Sequence, residues 1–425
     1  MHQVFNRGIA VCAVAMLLGT AISVLRVNAE GEKPSSAQGP IKIGYLVPMS
    51  GTGASGGSAM VNGMKLYLDQ INNTMAGRKV ELIVENDESY PATAVAKLHK
   101  LIDVDKAQVV AGTYLANVLY GLAPVIEKLQ IPYVDVVSGA DDITQRQRGK
   151  WLIRISWTSS QLTHPLGDWV YHKLGYKKVA TIGADYAYGY EVVGGFQKSF
   201  EAAGGQVIQK LWAPMGFQDF KSLLKQIRPD ADAVFMVAVG PQSQFISEQY
   251  KELGLKQPII GAGGTQFDEI ASLPKFGKSL IGGVHADPYT LEIDTAANKA
   301  FVKAFKDKYG TAPGFFAECG YDAGMWIHKA VDSLHGNVDD KAKLLAALKA
   351  VQLPNAPRGP MKLDEYGNIV DNIYVTKVVE RDGKFQNTLI ETFPMVSQFW
   401  KWTPEEYLKQ PLYSKDYPPC KHCAN

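Results

Sequence analysis

Beyond its first 25 residues the sequence has no apolar run approaching the roughly 20 residues that a bilayer-spanning helix needs. It has no excess of one charge: 44 basic residues face 42 acidic ones, which gives no ground for nucleic acid or an anionic membrane as a partner. HExxH is absent, and with it the commonest zinc-hydrolase signature. Cysteine is scarce, four in 425 residues, so a disulfide framework does not hold the fold. One of the four, Cys12, lies in the apolar N-terminal run without a lipobox-like context, and no twin arginine precedes it.

That N-terminal run is an address. Arg7 is a short positive region, Gly8 to Leu25 is largely apolar, and Val27-Asn28-Ala29 has the small-residue pattern of a cleavage site. Residues 1–29 are expected to be a signal peptide and the mature chain to be periplasmic. Arg7 and Arg26 are its only charged residues, so the mature chain balances 42 basic against 42 acidic groups. Export as an unfolded chain leaves no route for a preloaded cofactor, and none is expected. Three cysteines survive. Cys420 and Cys423 are expected to pair in an oxidising compartment, since a zinc site would find only His422 beside the two thiols. Cys319 is expected to be a buried small hydrophobe. Nearly 400 residues exceed one simple core, so two domains are expected.

The stretch from Ile41 to Asn72 sets the pattern. Ile41 to Val47 is a strand apolar enough to be buried on both faces. A Gly/Ser loop follows, then a helix with Met60, Met64, Tyr67, Leu68 and Ile71 on one face. Its first turn offers unpaired N–H groups to an anion. Gly51, Gly53 and Gly56 also spell GxGxxG between a strand and a helix. A nucleotide reading has Glu85 or Asp87 as its ribose-binding acid, which keeps an exported NAD-dependent dehydrogenase as an alternative. Pro48, Met49 and Ser50 lengthen the turn and weaken that reading.

Strand and helix alternate onward to Val137, as in a parallel sheet covered on both faces. Trp151 to His164 breaks the rhythm and reads as a strand, WLIRIS, then a polar loop, with a helix from Gly167 to Leu174. Alternation resumes from Lys178 to Ala286. Helices at 295–309, 316–334 and 341–351 then follow without strands and fit as cover for the first sheet. Met361 to Ile369 is a hairpin-like turn, Ile373 to Val379 a strand, and an aromatic tail holds Phe399, Trp400 and Trp402. The fold class is α/β with two doubly wound lobes. Lobe one is residues 41–158 plus 288–360, lobe two 159–287 plus 361–400, and 401–425 a tail.

The order of IKIGYLVPMSGTGASGG, NDESYPATAVAKLHKLI, VVAGTYLANVLYGLAPVIEKLQIPYV, GADYAYGYEVVGGFQKSFEAAGGQV, DFKSLLKQI, CGYDAGMWIHKAVDSL and RGPMKLDEYGN resembles the type I periplasmic solute-binding proteins. The resemblance is to the leucine/isoleucine/valine-binding family that feeds ATP-driven importers, and it spans roughly Ile41 to Thr392. It implies no enzyme, a ligand held in a cleft between lobes, a membrane permease as partner and a monomer. It places the ligand carboxylate on lobe one, at Leu115-Ala116-Asn117 and Val137-Ser138-Gly139; Tyr114, just before the anion-binding helix, is a further candidate for the cleft. Lobe two gives an aromatic, here Tyr188, and an acid for the α-amino group. That acid maps to Gly263, and no Asp or Glu follows until Asp268. A buried ammonium without a counter-charge costs several kcal/mol. The missing acid implies a ligand with a carboxylate and no amine. Ser50, Gln161, Thr265, Phe267 and Phe315 complete the expected site, and the freed space suits an aromatic acid. A branched-chain amino acid or amide binder is the alternative, as is a ligand-sensing receptor module of the same fold.

His164 reads as helix-start structure, His285 and Asp287 as hinge structure, and Asp141-Asp142 as charge favouring a helix N-terminus.

Overall fold

The computed structural model describes residues 39–263 and 274–423. The expected signal peptide, Thr265 and Phe267 lie outside the described residues. No helix among the described residues is long and apolar enough to cross a membrane.

Sheet one contains β1 (Ile41–Val47), β2 (Thr74–Met75), β3 (Arg78–Asn86), β4 (Val109–Gly112), β5 (Tyr133–Asp135) and β6 (Leu152–Arg154) in the order β2-β3-β1-β4-β5-β6. All neighbours are parallel except the short β2–β3 hairpin. Helices α1 (Ala54–Gln70), α2 (Pro91–His99) and α3 (Ala116–Leu129) connect them. The apolar face of α1, with Met60, Met64 and Leu68, is buried.

Sheet two begins after α4 (Ser159–Trp169) and holds β7 (Lys178–Ala184), β8 (Gln206–Ala213), β9 (Ala233–Met236), β10 (Ile259–Ala262) and β11 (Val284–Asp287). Helices α5 (Ala187–Ala202), α6 (Phe220–Leu224), α7 (Pro241–Glu252) and α8 (Pro274–Leu280) accompany it. The chain then runs through α9 (Ala296–Tyr309), α10 (Phe315–Ser333) and α11 (Lys341–Ala350). Helix α10 lies directly on α1. A Cβ at Gly63 would stand 1.8 Å from the Ala317 carbonyl, and one at Gly320 2.0 Å from that of Met60. Only paired glycines let two backbones approach so closely. On the other side of α10, the Trp326 indole donates to the Leu348 carbonyl of α11 at 2.9 Å.

Four strands finish the chain: β12 (Gln352–Ala356), β13 (Gly359–Leu363), β14 (Ile369–Arg381) and β15 (Lys384–Val396). Sheet two runs β12-β13-β14-β11-β10-β9-β7-β8, with β15 on β14. The sequence pattern stops at Val379, yet β14 and β15 form a 13-residue antiparallel ribbon on either side of a tight turn. The half-exposed face of β15 lacks a clean alternation, which hid it.

The segment expected to be a polar loop before Gly167 is instead the start of α4. Thr158 and Gln161 form a capping box at its N-terminus, and every residue from Ser159 to Gly167 is buried. Buried polar side chains erased the apolar periodicity that marks a helix. Charge is concentrated where the chain passes between the sheets. Arg358 is buried against Glu318 at 2.7 Å, Asp322 at 3.0 Å and Asp371 at 3.4 Å, and touches the Cys319 sulfur at 3.1 Å. Cys319 is buried in the apolar core as expected, with the Arg358 guanidinium against its sulfur.

The C-terminal segment is ordered structure, not a loose tail. Phe399, Tyr407 and Tyr413 form their own apolar cluster around α12 (Pro404–Leu408). Tyr407 meets the Ser160 hydroxyl at 3.2 Å, and Tyr413 meets His164 Nε2 at 3.2 Å. Arg146, beyond β5, donates to the carbonyls of Tyr407 and Gln410 at 3.1 and 2.6 Å. Lys401 pairs with Asp168 and Lys415 with Asp185. Cys420 and Cys423 form a disulfide with Cα atoms 5.4 Å apart. Replacing Tyr407 by Ala is expected to cost about 3 kcal/mol, as for other buried aromatics. A lowered urea midpoint would show it, and an unchanged midpoint would mean that this strap contributes nothing to stability.

Candidate ligand-binding site

Parallel sheets bind ligands beyond the carboxyl ends of their strands, at the point where connections diverge to opposite faces. In sheet one that point lies between β1 and β4. The Gly-rich loop after β1 lies on one side of it, and here the ring of Tyr114 fills the gap. A Cβ at Gly56 would stand 2.4 Å from that ring, and one at Gly53 2.8 Å. The Gly53 N–H donates to Ser89 Oγ at 3.1 Å. Two of the GxGxxG glycines, Gly53 and Gly56, therefore seat the tyrosine ring, while Gly51 lies against Glu88 and Ser89.

Tyr114 moves the open space toward β5 and β6. A narrow chamber there is lined by Tyr114, Leu115, Ala116, Val137, Gly139, Trp157, Tyr186, Tyr188, Val239, Gly263 and Phe316. Three loops of sheet one meet in it, those following β4, β5 and β6. Sheet two supplies Tyr186 and Tyr188 after β7, Val239 after β9 and Gly263 after β10. Helix α3 begins at the chamber wall. Its N-cap, Leu115, offers no side-chain acceptor, while the N–H groups of Val118 and Leu119 turn back to the Leu115 carbonyl. The N–H groups of Ala116 and Asn117 have no partner within the helix by its geometry, and the dipole there favours an anion.

Of the expected site residues, the structure gathers Tyr114, Ala116, Val137, Gly139, Tyr188 and Gly263 around this chamber. It moves others away. Ser50 is exposed and accepts from Asn86 at 2.9 Å. Asn117 points its side chain to solvent, leaving only its backbone N–H at the helix end. Ser138 is buried but is not part of the lining, because Val137 and Gly139 on either side face the chamber. Gln161 is fully engaged at the lobe passage, donating to the carbonyls of Ile369 and Val396 and accepting from Asn368. Phe315 fills the core against Trp157 at 4.6 Å, and its neighbour Phe316 lines the chamber. Leu115 is there as part of the expected helix-opening segment, and of the pair Phe315 and Phe316, one expected in the core and the other at the cleft, it is Phe316 that lines the chamber; Trp157, Tyr186 and Val239 went unread. For Trp157 the signal was its place just past a strand's carboxyl end.

Beyond Phe316 lies a larger cavity of about 530 Å³, lined by residues that include Ser55, Gln244, His285, Tyr289 and Glu292. The smaller chamber is the better site, because it lies at the carboxyl ends of three parallel strands and at a helix N-terminus. His285 and Asp287 pair at 2.8 Å at the end of β11.

Tyr188 is spent on structure as well as on the wall. Its hydroxyl donates to the Gly263 carbonyl at 2.6 Å, and burial holds the phenol well above its ordinary pKa. Gly263 has φ +70°, and a Cβ there would stand 2.6 Å from the Tyr188 oxygen. Behind the chamber, Glu191 of α5 joins the two sheets' elements. It accepts from Tyr120 at 2.7 Å, Ser159 at 2.7 Å and the Asp141 N–H at 3.2 Å. Asp141 in turn accepts from the Ser160 N–H at 3.1 Å. Asp141 and Asp142 do open a short helix, Asp141–Thr144, as expected, and in addition Asp141 is a buried contact to the start of α4, while Asp142 pairs with Arg146 at 2.8 Å. Burial first, and the facing Asp141 second, raise Glu191 well above its ordinary pKa. Burial likewise lifts Asp141 from 3.8 to about 6.

Both groups bind protons more tightly folded than unfolded, so their contribution is full below about pH 4 and is lost as pH rises through the folded values. For Asp141 the displacement corresponds to at most about 3 kcal/mol. Melting temperature is expected to fall from pH 5 to pH 8, and Glu191→Gln to flatten that slope; equal slopes in both proteins would refute the assignment. Gly263→Ala is expected to cost about 1–3 kcal/mol through its left-handed backbone and the displaced tyrosine. Tyr188→Phe, which deletes one hydrogen bond, should cost about 1 kcal/mol. A silent Gly263→Ala in thermal melts would show that the contact does not hold the loop.

Comparisons with known proteins agree with this architecture. A family model described as periplasmic binding protein matches residues 40–384. The "Leu/Ile/Val-binding protein homolog 6" of Brucella melitensis is 28% identical over 362 residues, covering 83% of this chain and 91% of the relative. A solute-binding protein of an ABC transporter from Rhodopseudomonas palustris BisB5, solved with 3,4-dihydroxybenzoic acid, is 33% identical with a TM-score of 0.79. It covers 84% of this chain and 98% of its own. Another from R. palustris, solved with benzoate, is 32% identical with a TM-score of 0.77, covering 83% and 96%. With two doubly wound sheets, a chamber between them and a family match over most of its length, the chain belongs to the periplasmic binding protein family.

Proposed function

We propose that the protein captures a small aromatic carboxylate without an amino group and delivers it to the permease of an ABC importer. One observation carries this reading. Among the described residues, the chamber wall combines five aromatic rings with a helix N-terminus and has no acidic or basic side chain. Rings favour a flat apolar body, and backbone amides favour an anion. An α-ammonium would enter without a counter-charge, at a cost of several kcal/mol. Two buried acids lie near the chamber and both are already engaged, Glu191 by Tyr120 and Ser159 and Asp287 by His285. The ligands of the two R. palustris proteins, 3,4-dihydroxybenzoate and benzoate, are of this chemical class. The name of the Brucella relative favours a second reading, a branched-chain amino acid.

In this mechanism residues 1–29 direct export and are removed. Lobe one, 41–158 plus 288–360, takes the carboxylate first at Ala116 and Asn117. Lobe two, 159–287 plus 361–400, then closes over the ring with Tyr186 and Tyr188. Closure follows from differential affinity, since a ligand that bound both states equally would shift nothing. The closed monomer is the form the permease recognises.

A thermal-shift panel tests the ligand class. Benzoate or 4-hydroxybenzoate at 100 times its dissociation constant is expected to add about 2.7 kcal/mol of stability. Leucine, isovalerate and isovaleramide should add little. Stabilisation by leucine with none from the aromatic acids would overturn the assignment.

A further inference from the structure

Tyr114 and Tyr188 account for two of the chamber's polar side chains, and neither explains a third. Trp157 lines the chamber and is 2% exposed. Its indole Nε1 is buried with no hydrogen-bond partner among the described residues. Three other indoles are satisfied: Trp326 donates to Leu348, Trp400 to Asp168 and Trp169 to Glu391. Buried donors left unmatched are rare in folded proteins, and each calls for a cause. Here the ring is held on one side by Phe315, with centroids 4.6 Å apart. The chamber is the place from which an acceptor can come.

The placement is consistent with that role. β6 pairs with β5, and β5 with β4, so the loop carrying Trp157 is third in the row that begins with α3's N-terminus. The Ser159 N–H donates to the Gly139 carbonyl at 2.9 Å, which ties the Trp157 segment to the loop after β5. The indole is a donor only. Its N–H can match an oxygen of a carboxylate or phenol and has no lone pair to accept from an ammonium.

We propose that Trp157 is a specificity-determining residue whose indole N–H donates a hydrogen bond to an oxygen of the bound aromatic acid. The inference rests on the ligand class proposed above and goes beyond it by naming a side-chain donor. It adds a test of acceptor chemistry that the backbone amides alone would not impose. It also gives the unpaired group a physical reason: the partner arrives with the ligand.

The test uses the full mature protein with benzoate and 4-hydroxybenzoate as probes. Trp157→Phe keeps an aromatic ring and deletes the N–H. It is expected to weaken binding about 10- to 100-fold, while leaving the ligand-free melting temperature unchanged or raised. A purely structural tryptophan would lower the ligand-free melting temperature instead. Equal loss for both probes assigns the bond to the carboxylate, and loss for 4-hydroxybenzoate alone assigns it to the ring hydroxyl; either supports the proposal. A second measurement uses indole-labelled protein, in which the cross-peak missing from the variant is that of Trp157, one of seven. Saturating ligand should move that peak downfield. Should Trp157→Phe fail to fold, Trp157→Tyr replaces it for both measurements. Affinity within twofold of the parent, with an unmoved cross-peak, overturns the role of Trp157 and leaves the ligand class standing. No binding of either acid by the parent protein overturns the ligand class and this inference with it.

Discussion

The Arg154 guanidinium holds the loop on which the chamber is built. It is completely buried and pairs with Asp135 at 2.9 Å. The same Nε–H is shared with the Ser138 carbonyl, and the terminal N–H groups go to the Ala140 carbonyl and to Thr144 and Asn368. Val137, Ser138 and Gly139 therefore follow β5 in one fixed path, pinned from below by a cation that never reaches the ligand. A charge this deep is tolerated only when its donors are matched. The same residue links the end of β5 to Asn368, in the turn between β13 and β14, so the loop's geometry depends on the return of the chain from the far end of the sequence.

This division of labour explains why the chamber contains so little charge. The strong electrostatics are confined to the passages between sheets: Arg154 with Asp135, Arg358 with three carboxylates, and Glu191 facing Asp141. Fixed charges at the passages define how the halves meet. Rings and main-chain amides define what they enclose. The two functions use different residues, which permits the chamber wall to vary without disturbing the joint.

The sequence exposed the sheets well where burial follows a simple period. β1 has the bounds expected of it, because an apolar strand flanked by turn-forming residues leaves little ambiguity. It failed where polar groups are buried. Ser159, Ser160, Gln161, Thr163 and His164 look like a surface loop but form the first turns of a helix whose hydroxyls and amides are met across the joint. The same blindness placed Gln161 in the ligand site. Phe315 and Phe316 differ by one position on a helix, a rotation of about 100°, and only packing decides which ring faces inward. Trp157 carries no periodic signal at all, since its role comes from the ending of a strand three residues before it.

The C-terminal strap also has a bearing on how the molecule behaves among its own copies. β8 is the outer strand of sheet two. Cys420 Sγ rests on the Val207 carbonyl at 3.3 Å, and Lys210 of the same strand donates to the Pro418 carbonyl at 2.9 Å. An uncovered outer strand offers a ladder of unmet backbone groups on which another chain can template. By folding its C-terminal segment over that margin and fastening it with a short thiol-derived ring, the protein screens this outer strand from its neighbours.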